Sequence, residues 1–286
     1  LVLTYPRIIH AEMLTHRMLS KNTSSSRAIP FTKMVESVQN DPFIPIAWQK
    51  DHKGMQGTEY LVDRKHENAV YEWLKARDFA VKQANIMNSD GVTKQLANRL
   101  LEPFMWTTML ITGSKEGWDN FFNLRLPEYY LENIPTVNED LSLNSKTITL
   151  IGKSKKELLK EINQIDNDSY NDFKTIMNNY SDLDWLKLNK GQAEIHMMAL
   201  AECIYDAVNE SIPKELQAGE WHIPFEDKID LIDWLDTVND DEHLDDDLDE
   251  QDRLFEIDKV KISTAMAAHT SYTVVGGEAV KSYEKW

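Results

Sequence analysis

His16, Arg17, Lys21 and Arg27 lie in one short stretch, Thr15-His16-Arg17-Met18-Leu19-Ser20-Lys21-Asn22-Thr23-Ser24-Ser25-Ser26-Arg27. A guanidinium presents a fixed fork of N–H donors that matches phosphate and carboxylate oxygens, and serine hydroxyls and backbone amides add donors without adding charge. Such a segment can bind a small anion. The same residues also describe an exposed basic turn, and by themselves they leave both readings open.

Other chemistries lack their residues. The chain has no Gly-x-x-x-x-Gly-Lys-Ser/Thr loop, no Gly-x-Gly-x-x-Gly turn, no His-Glu-x-x-His pair and no Gly-x-Ser-x-Gly elbow. The single cysteine, Cys203, sits in Ala201-Glu202-Cys203-Ile204 with no adjacent base, so a buried structural role is expected for it and thiol catalysis is disfavoured. One cysteine also excludes an internal disulfide framework and a multi-thiolate zinc site, which fits a reducing compartment. The acidic run from Asp236 to Asp252 lacks the glycine and terminal glutamate of an EF-hand loop. It is expected to be a solvated loop, and no metal site is expected.

The 286 residues, 42% hydrophobic and 28% charged, are enough for a sizeable core in one or two domains. A formal charge of −17 repels a phosphate backbone at long range, which disfavours polymeric nucleic acid but not a small anion at a local arginine cluster. No window has the ~18 apolar residues of a membrane span, and the N-terminus has no signal pattern, so a cytoplasmic protein is expected. The absence of an initiator methionine and the final Trp286 fit a piece of a longer chain.

The elements that must position the basic cluster follow from periodicity. Apolar residues Ile8, Ile9, Met13, Leu14, Met18 and Leu19 predict a helix over 7–19 that ends near Ser20, and the hydroxyl-rich run to Ser26 predicts a loop before Pro30. Residues 41–58, with two prolines and two glycines, predict an irregular connection. A long helix is predicted over 64–88, and another over 92–112 interrupted at Pro103. Residues 154–185 predict a helical pair joined around 166–168, residues 190–210 one more helix, and Tyr272–Val275 a strand.

The cluster resembles the motif of the flavin-dependent thymidylate synthase (ThyX) superfamily, Arg-His-Arg, seven residues, Ser, and an Arg two positions on. Here it stands as Thr15-His16-Arg17, seven residues, Ser25, then Arg27, with Thr15 in place of the first Arg. The family's Ala-Arg-x-x-Leu-Pro and Asn-Phe-Leu-x-Leu-Arg elements resemble Ala97-Asn98-Arg99-Leu100-Leu101-Glu102-Pro103 and Asn120-Phe121-Phe122-Asn123-Leu124-Arg125. A third, Ala-Gln-x-Glu-Ile-Arg, resembles Gly191-Gln192-Ala193-Glu194-Ile195-His196. The C-terminal Ala267-Ala268-His269-Thr270-Ser271-Tyr272 is similar to an Ala-Ala-Arg-x-Ser-Tyr segment that opens the usual family order, as in a permuted, phage-type variant. The family's His-x-Ser-Pro-Phe-Glu-His element has only a partial echo in His222-Ile223-Pro224-Phe225-Glu226.

The resemblance implies an α+β, helix-rich fold with a central antiparallel sheet. It implies a flavin and nucleotide part over 1–126, an inserted helical subdomain over 127–190, and a C-terminal part over 191–286 that completes the core. It implies FAD as cofactor, methylene-tetrahydrofolate and NADPH as co-substrates, a pyrimidine deoxynucleotide monophosphate as substrate, and a homotetramer. His16, Arg17 and Asn120 would contact FAD; Ser25, Arg27, Arg99 and Arg125 would hold the nucleotide; Arg125 and Ser25 would act in catalysis. The reaction would place a one-carbon unit on pyrimidine C5, the product being methyl or, given Thr15, hydroxymethyl. A non-catalytic relative that lost flavin or substrate binding is the alternative. A phage-encoded enzyme would work in the host cytoplasm.

Overall fold

The computed structural model describes residues 1–53, 57, 59–137, 143–165, 170–213, 215–238 and 248–272. Its centre is a three-stranded antiparallel sheet in the order β1-β3-β2, built from β1 (Val2–Pro6), β2 (Ser20–Thr23) and β3 (Trp106–Thr112). The register pairs Tyr5 with Thr107 on one side of β3 and Lys21 with Ile111 on the other. The architecture is α+β and helix-rich, as expected.

Helix α1 is short (His10–Leu14), where periodicity predicted a helix over 7–19. The difference comes from Thr15, whose backbone N–H (3.0 Å) and hydroxyl (2.7 Å) both bond the Glu12 carbonyl and close the last turn. The predicted loop over 20–26 is half strand, because β3 supplies the ladder partners for Ser20–Thr23. Local hydroxyl-rich sequence does not reveal such a partner.

Helices α2 (Phe31–Asn40) and α3 (Asp63–Ser89) follow, with an irregular connection between them in the residues described there. The helix predicted over 92–112 is replaced by α4 (Lys94–Ala97), a 3-10 turn (Asn98–Phe104) and then β3. Pro103 lacks an N–H, and the run Trp106-Thr107-Thr108-Met109-Leu110-Ile111-Thr112 suits a pleated, buried surface. Helix α5 (Lys115–Arg125) is N-capped by Ser114 and carries the second arginine element.

Residues 127–190 are not purely helical. They form an antiparallel ribbon of β4 (Tyr129–Val137) and β5 (Leu143–Gly152), then α6 (Lys155–Asn163), α7 (Asn171–Asn178) and α8 (Asp182–Leu188). Residues 166–169, where the predicted helical pair would join, lie outside the described residues. Tyr129, Leu131, Leu158, Ile162, Met177 and Trp185 give this segment its own core. The buried Glu202 of α9 (Ile195–Glu210) ties it to the sheet layer, accepting from Tyr129 Oη (2.8 Å) and from the Lys155 amide (2.6 Å).

The main core packs one sheet face, Leu3, Tyr5, Met109 and Ile111, on Phe121 and Trp118 of α5 and Met197, Leu200 and Ile204 of α9. Cys203 points away from that core and is exposed, contrary to the buried role expected for it. Its thiol pKa is nonetheless raised, by desolvation and then by Glu202 and Asp206, so a thiolate is disfavoured there.

Helices α10 (Leu231–Val238) and α11 (Leu248–His269) flank the acidic run, whose residues 239–247 lie outside the described ones. The strand expected at Tyr272–Val275 is not there at its start: α11 leads into a 3-10 turn, Thr270–Tyr272, and 273–275 lie outside the described residues. Among the described residues, no helix is long and apolar enough to cross a membrane.

Candidate functional site

The end of α1 and the end of α5 converge on His16. The imidazole is buried, 6% exposed, and lies edge-on to Phe121 with ring centroids 4.8 Å apart. Arg125 stands four residues after Phe121, hence on the same face of α5, and its Nε donates to His16 Nε2 at 3.0 Å. The Arg125 Nη1 forms an ion pair with Glu12, and Lys21 Nζ donates to the carbonyls of His16 and of Leu19 (2.9 Å). Desolvation, then the charges of Arg125 and Lys21, hold the His16 pKa down at about 4. At neutral pH the ring is therefore uncharged between two cations.

The other end of β2 carries a second junction. Ser25 caps a turn, its carbonyl accepting from the Ala28 (2.9 Å) and Ile29 (3.2 Å) amides. Asn98, fully buried, reaches across from the 3-10 turn and donates Nδ2 to the carbonyls of Ser26 (2.6 Å) and Ile29 (3.1 Å). Ser26 Oγ donates to Glu102 at 2.6 Å, and Arg7 stands 4.0 Å from the same carboxylate. These bonds fasten the Ser25–Arg27 turn to the segment that bears Arg99. Arg27 and Arg99 are both exposed, and neither has a partner among the described residues. Two unneutralised guanidinium groups on segments joined in this way can receive an anion.

The C-terminal turn docks on the same strand. The Ser271 carbonyl accepts the Ser25 amide at 2.9 Å, Ser271 Oγ bonds Asn22 Oδ1 at 3.1 Å, and Asn22 Nδ2 donates to the Ala267 carbonyl. The Ala267–Tyr272 segment, last in sequence, thus sits beside the first motif in space. The partial echo over 222–226 precedes α10 and touches α11 at another point, where Ser263 Oγ donates to the Pro224 carbonyl at 2.6 Å.

Of the sequence-derived candidates, His16 and Arg125 meet directly, and Ser25 and Arg27 are joined to the Arg99 segment. Arg17 is exposed and unpartnered among the described residues. Asn120 is exposed and turned away from the His16 contact, about 140° round α5 from Arg125 at ~100° per residue. Glu12, Asn98, Glu102 and Asn22 were not singled out from sequence. Asn98 and Glu102 fall inside a quoted motif, whereas a lone glutamate such as Glu12 has no signature without its partner.

The third element is structural. Glu194 caps α9, accepting from the amides of His196 (2.8 Å) and Met197 (3.0 Å), and also bonds His196 Nδ1 at 2.6 Å. His196 Nε2 accepts the Ile46 amide at 3.2 Å, so the ring anchors the 41–49 connection to α9. Among the described residues no group of three or more His, Cys, Asp or Glu is arranged to hold a metal ion.

No protein-family model matches the chain. No curated protein sequence matches it either. Among solved structures it is similar to a UMP/dUMP methylase, PolB from Streptomyces cacaoi, bound with 5-Br dUMP, at a TM-score of 0.34 and 15% identity. That alignment covers 44% of this chain and 52% of the other, so it spans about half the length of that structure.

Proposed function

We propose that the protein is a flavin-dependent enzyme that transfers a one-carbon unit to C5 of a pyrimidine deoxynucleotide monophosphate, as the ordered resemblance to the ThyX superfamily implies. The observation that carries the reading is the Asn98 clamp, which brings two motif segments remote in sequence to one junction bearing the free cations Arg27 and Arg99. In this reading Arg27 and Arg99 take the dianionic 5′-phosphate, with the Ser25 hydroxyl as a further donor. Arg125 faces the pyrimidine, where a guanidinium stabilises negative charge that develops on a ring carbonyl.

The flavin site would comprise His16 and Arg17, with Asn120 as an outer contact. FAD bound there would carry reducing equivalents from NADPH, and the one-carbon unit would come from methylene-tetrahydrofolate. The protein's own residues bind and orient, and the raised pKa of the Cys203 thiol disfavours a cysteine nucleophile. A homotetramer follows from the family resemblance, with exposed Arg17 and Asn120 available to a neighbouring subunit. Thr15, ending α1 where the family has Arg, removes one cation and makes a hydroxymethyl product a reasonable alternative to thymidylate.

The absorbance spectrum of the purified protein tests this first: a flavin band, or one gained on loading with FAD, is expected. A protein that cannot be loaded with FAD and shows no thermal shift with saturating dUMP is the non-catalytic relative instead. Product mass spectrometry then separates methyl from hydroxymethyl.

A further inference from the structure

The His16–Arg125 contact fixes more than proximity. An arginine Nε–H can only donate, so the His16 Nε2 at 3.0 Å must accept, and an accepting Nε2 carries no proton. The ring proton then resides on Nδ1. Among the described residues Nδ1 has no hydrogen-bond partner, yet it is not one of the sealed, unpaired polar atoms of the interior. The same holds for Arg125 Nη2, since Nε and Nη1 are taken by His16 and Glu12.

We propose that Glu12 and Arg125 hold His16 as its neutral Nδ1–H tautomer, Glu12 purely as a positioning residue and Arg125 through its Nε while its open Nη2 keeps the role at the pyrimidine, so that His16 offers an uncharged donor to a carbonyl oxygen or ring nitrogen of a heteroaromatic ligand. This deepens the proposed function by naming the part of the ligand that His16 reads. Glu12, from α1, pins one end of the guanidinium. Arg125, from the last turn of α5, turns its Nε–H onto the imidazole. Lys21, from β2, holds the His16 carbonyl and adds a second positive charge against protonation, while Phe121 fixes the ring edge-on. An imidazolium here would set an Nε2–H against the Arg125 Nε–H. A neutral donor suits flavin and pyrimidine ring acceptors, whereas the phosphate is left to the open cations at the other end of β2.

Long-range proton–nitrogen NMR spectra of 15N-histidine-labelled protein, free of ligand, read the tautomer directly. The expected result is a protonated Nδ1 and an unprotonated Nε2 for His16, persisting until the pH approaches about 4. Arg125→Ala should give a mixture of tautomers, with protonation returning toward the ordinary histidine range of ~6.5. If that variant does not fold, Arg125→Lys and Glu12→Ala test the same point with smaller disturbance.

An Nε2–H tautomer in the free protein, an imidazolium at neutral pH, or variants that keep a pure Nδ1–H form would overturn the positioning role. The expected tautomer with an Nδ1–H resonance that neither bound FAD nor bound dUMP moves would overturn the donor role. If neither ligand binds at all, the proposed function fails while the tautomer assignment stands.

Discussion

Asn98 donates to the Ser26 carbonyl at 2.6 Å, joining a turn that follows β2 to a 3-10 segment that precedes β3. Its side chain is fully buried and also holds the Ile29 carbonyl, so both acceptors depend on one amide. Asn98→Ala should cost about 1–3 kcal/mol, because buried acceptors lose their donor. It should also weaken dUMP binding beyond what the stability loss explains. Thermal melts and titration calorimetry on the same preparation check both effects; unchanged affinity in a folded variant would separate the clamp from the anion site.

Arg27 and Arg99 are exposed, so Arg27→Gln and Arg99→Gln should leave stability within about 0.5 kcal/mol. Each should lower affinity for a nucleotide monophosphate about ten- to a hundredfold, the worth of a charge-assisted contact. Binding measured against deoxyuridine, which lacks the phosphate, should show no such loss. The phosphate-dependent part should also weaken with added salt.

Ser271→Ala removes the hydroxyl bond to Asn22 but keeps the backbone bond to Ser25, so a modest effect is expected, ~1 kcal/mol or less. Asn22→Ala loses bonds to both Ser271 and the Ala267 carbonyl. It should speed amide hydrogen exchange at Ser25 and along 267–272 more than elsewhere in the sheet. Uniform protection in that variant would show that the C-terminal turn is held by other contacts.

His16 and His10 are both held neutral, each with its pKa lowered to about 4 by desolvation first; Arg7 adds to this for His10, and Arg125 and Lys21 for His16. In the unfolded chain they bind protons near ~6.5, so between those values the unfolded state holds more protons. Stability from these groups is complete above ~6.5 and is lost as the pH falls toward about 4. Denaturant midpoints across that range should decline, and His16→Gln should make the decline shallower.

Glu202 has the opposite sign. Desolvation raises its carboxyl pKa despite the Lys155 amide and the Tyr129 hydroxyl, so the folded state holds the proton to higher pH than the unfolded one. Its contribution falls as the pH climbs from the unfolded value of ~4.3 through the raised folded value. Glu202→Gln, which keeps an acceptor for Lys155, should match or exceed the parent near neutrality. Glu202→Leu should lose about 1–3 kcal/mol by leaving that amide and the Tyr129 hydroxyl unpaired.

Sequence alone determined the long helix of Asp63–Ser89, the helix at Ile195–Glu210 and the basic first motif, because periodicity and side-chain type are local properties, whereas the α+β class was implied by the family resemblance and not by patterning. It misplaced whatever depended on a distant partner. The Ser20–Thr23 segment is strand because β3 pairs with it, and residues 127–190 contain a ribbon that no helical periodicity announces. Around the candidate site, sequence supplied His16, Ser25, Arg27, Arg99 and Arg125. Tertiary structure decided that Arg125 turns onto His16, that Glu12 pins it, that Asn98 clamps the Ser25–Arg27 turn, and that the last described turn of the chain docks beside the first motif. Hydrogen bonds between side chains far apart in sequence require the backbone to be folded first, and no spacing rule encodes them.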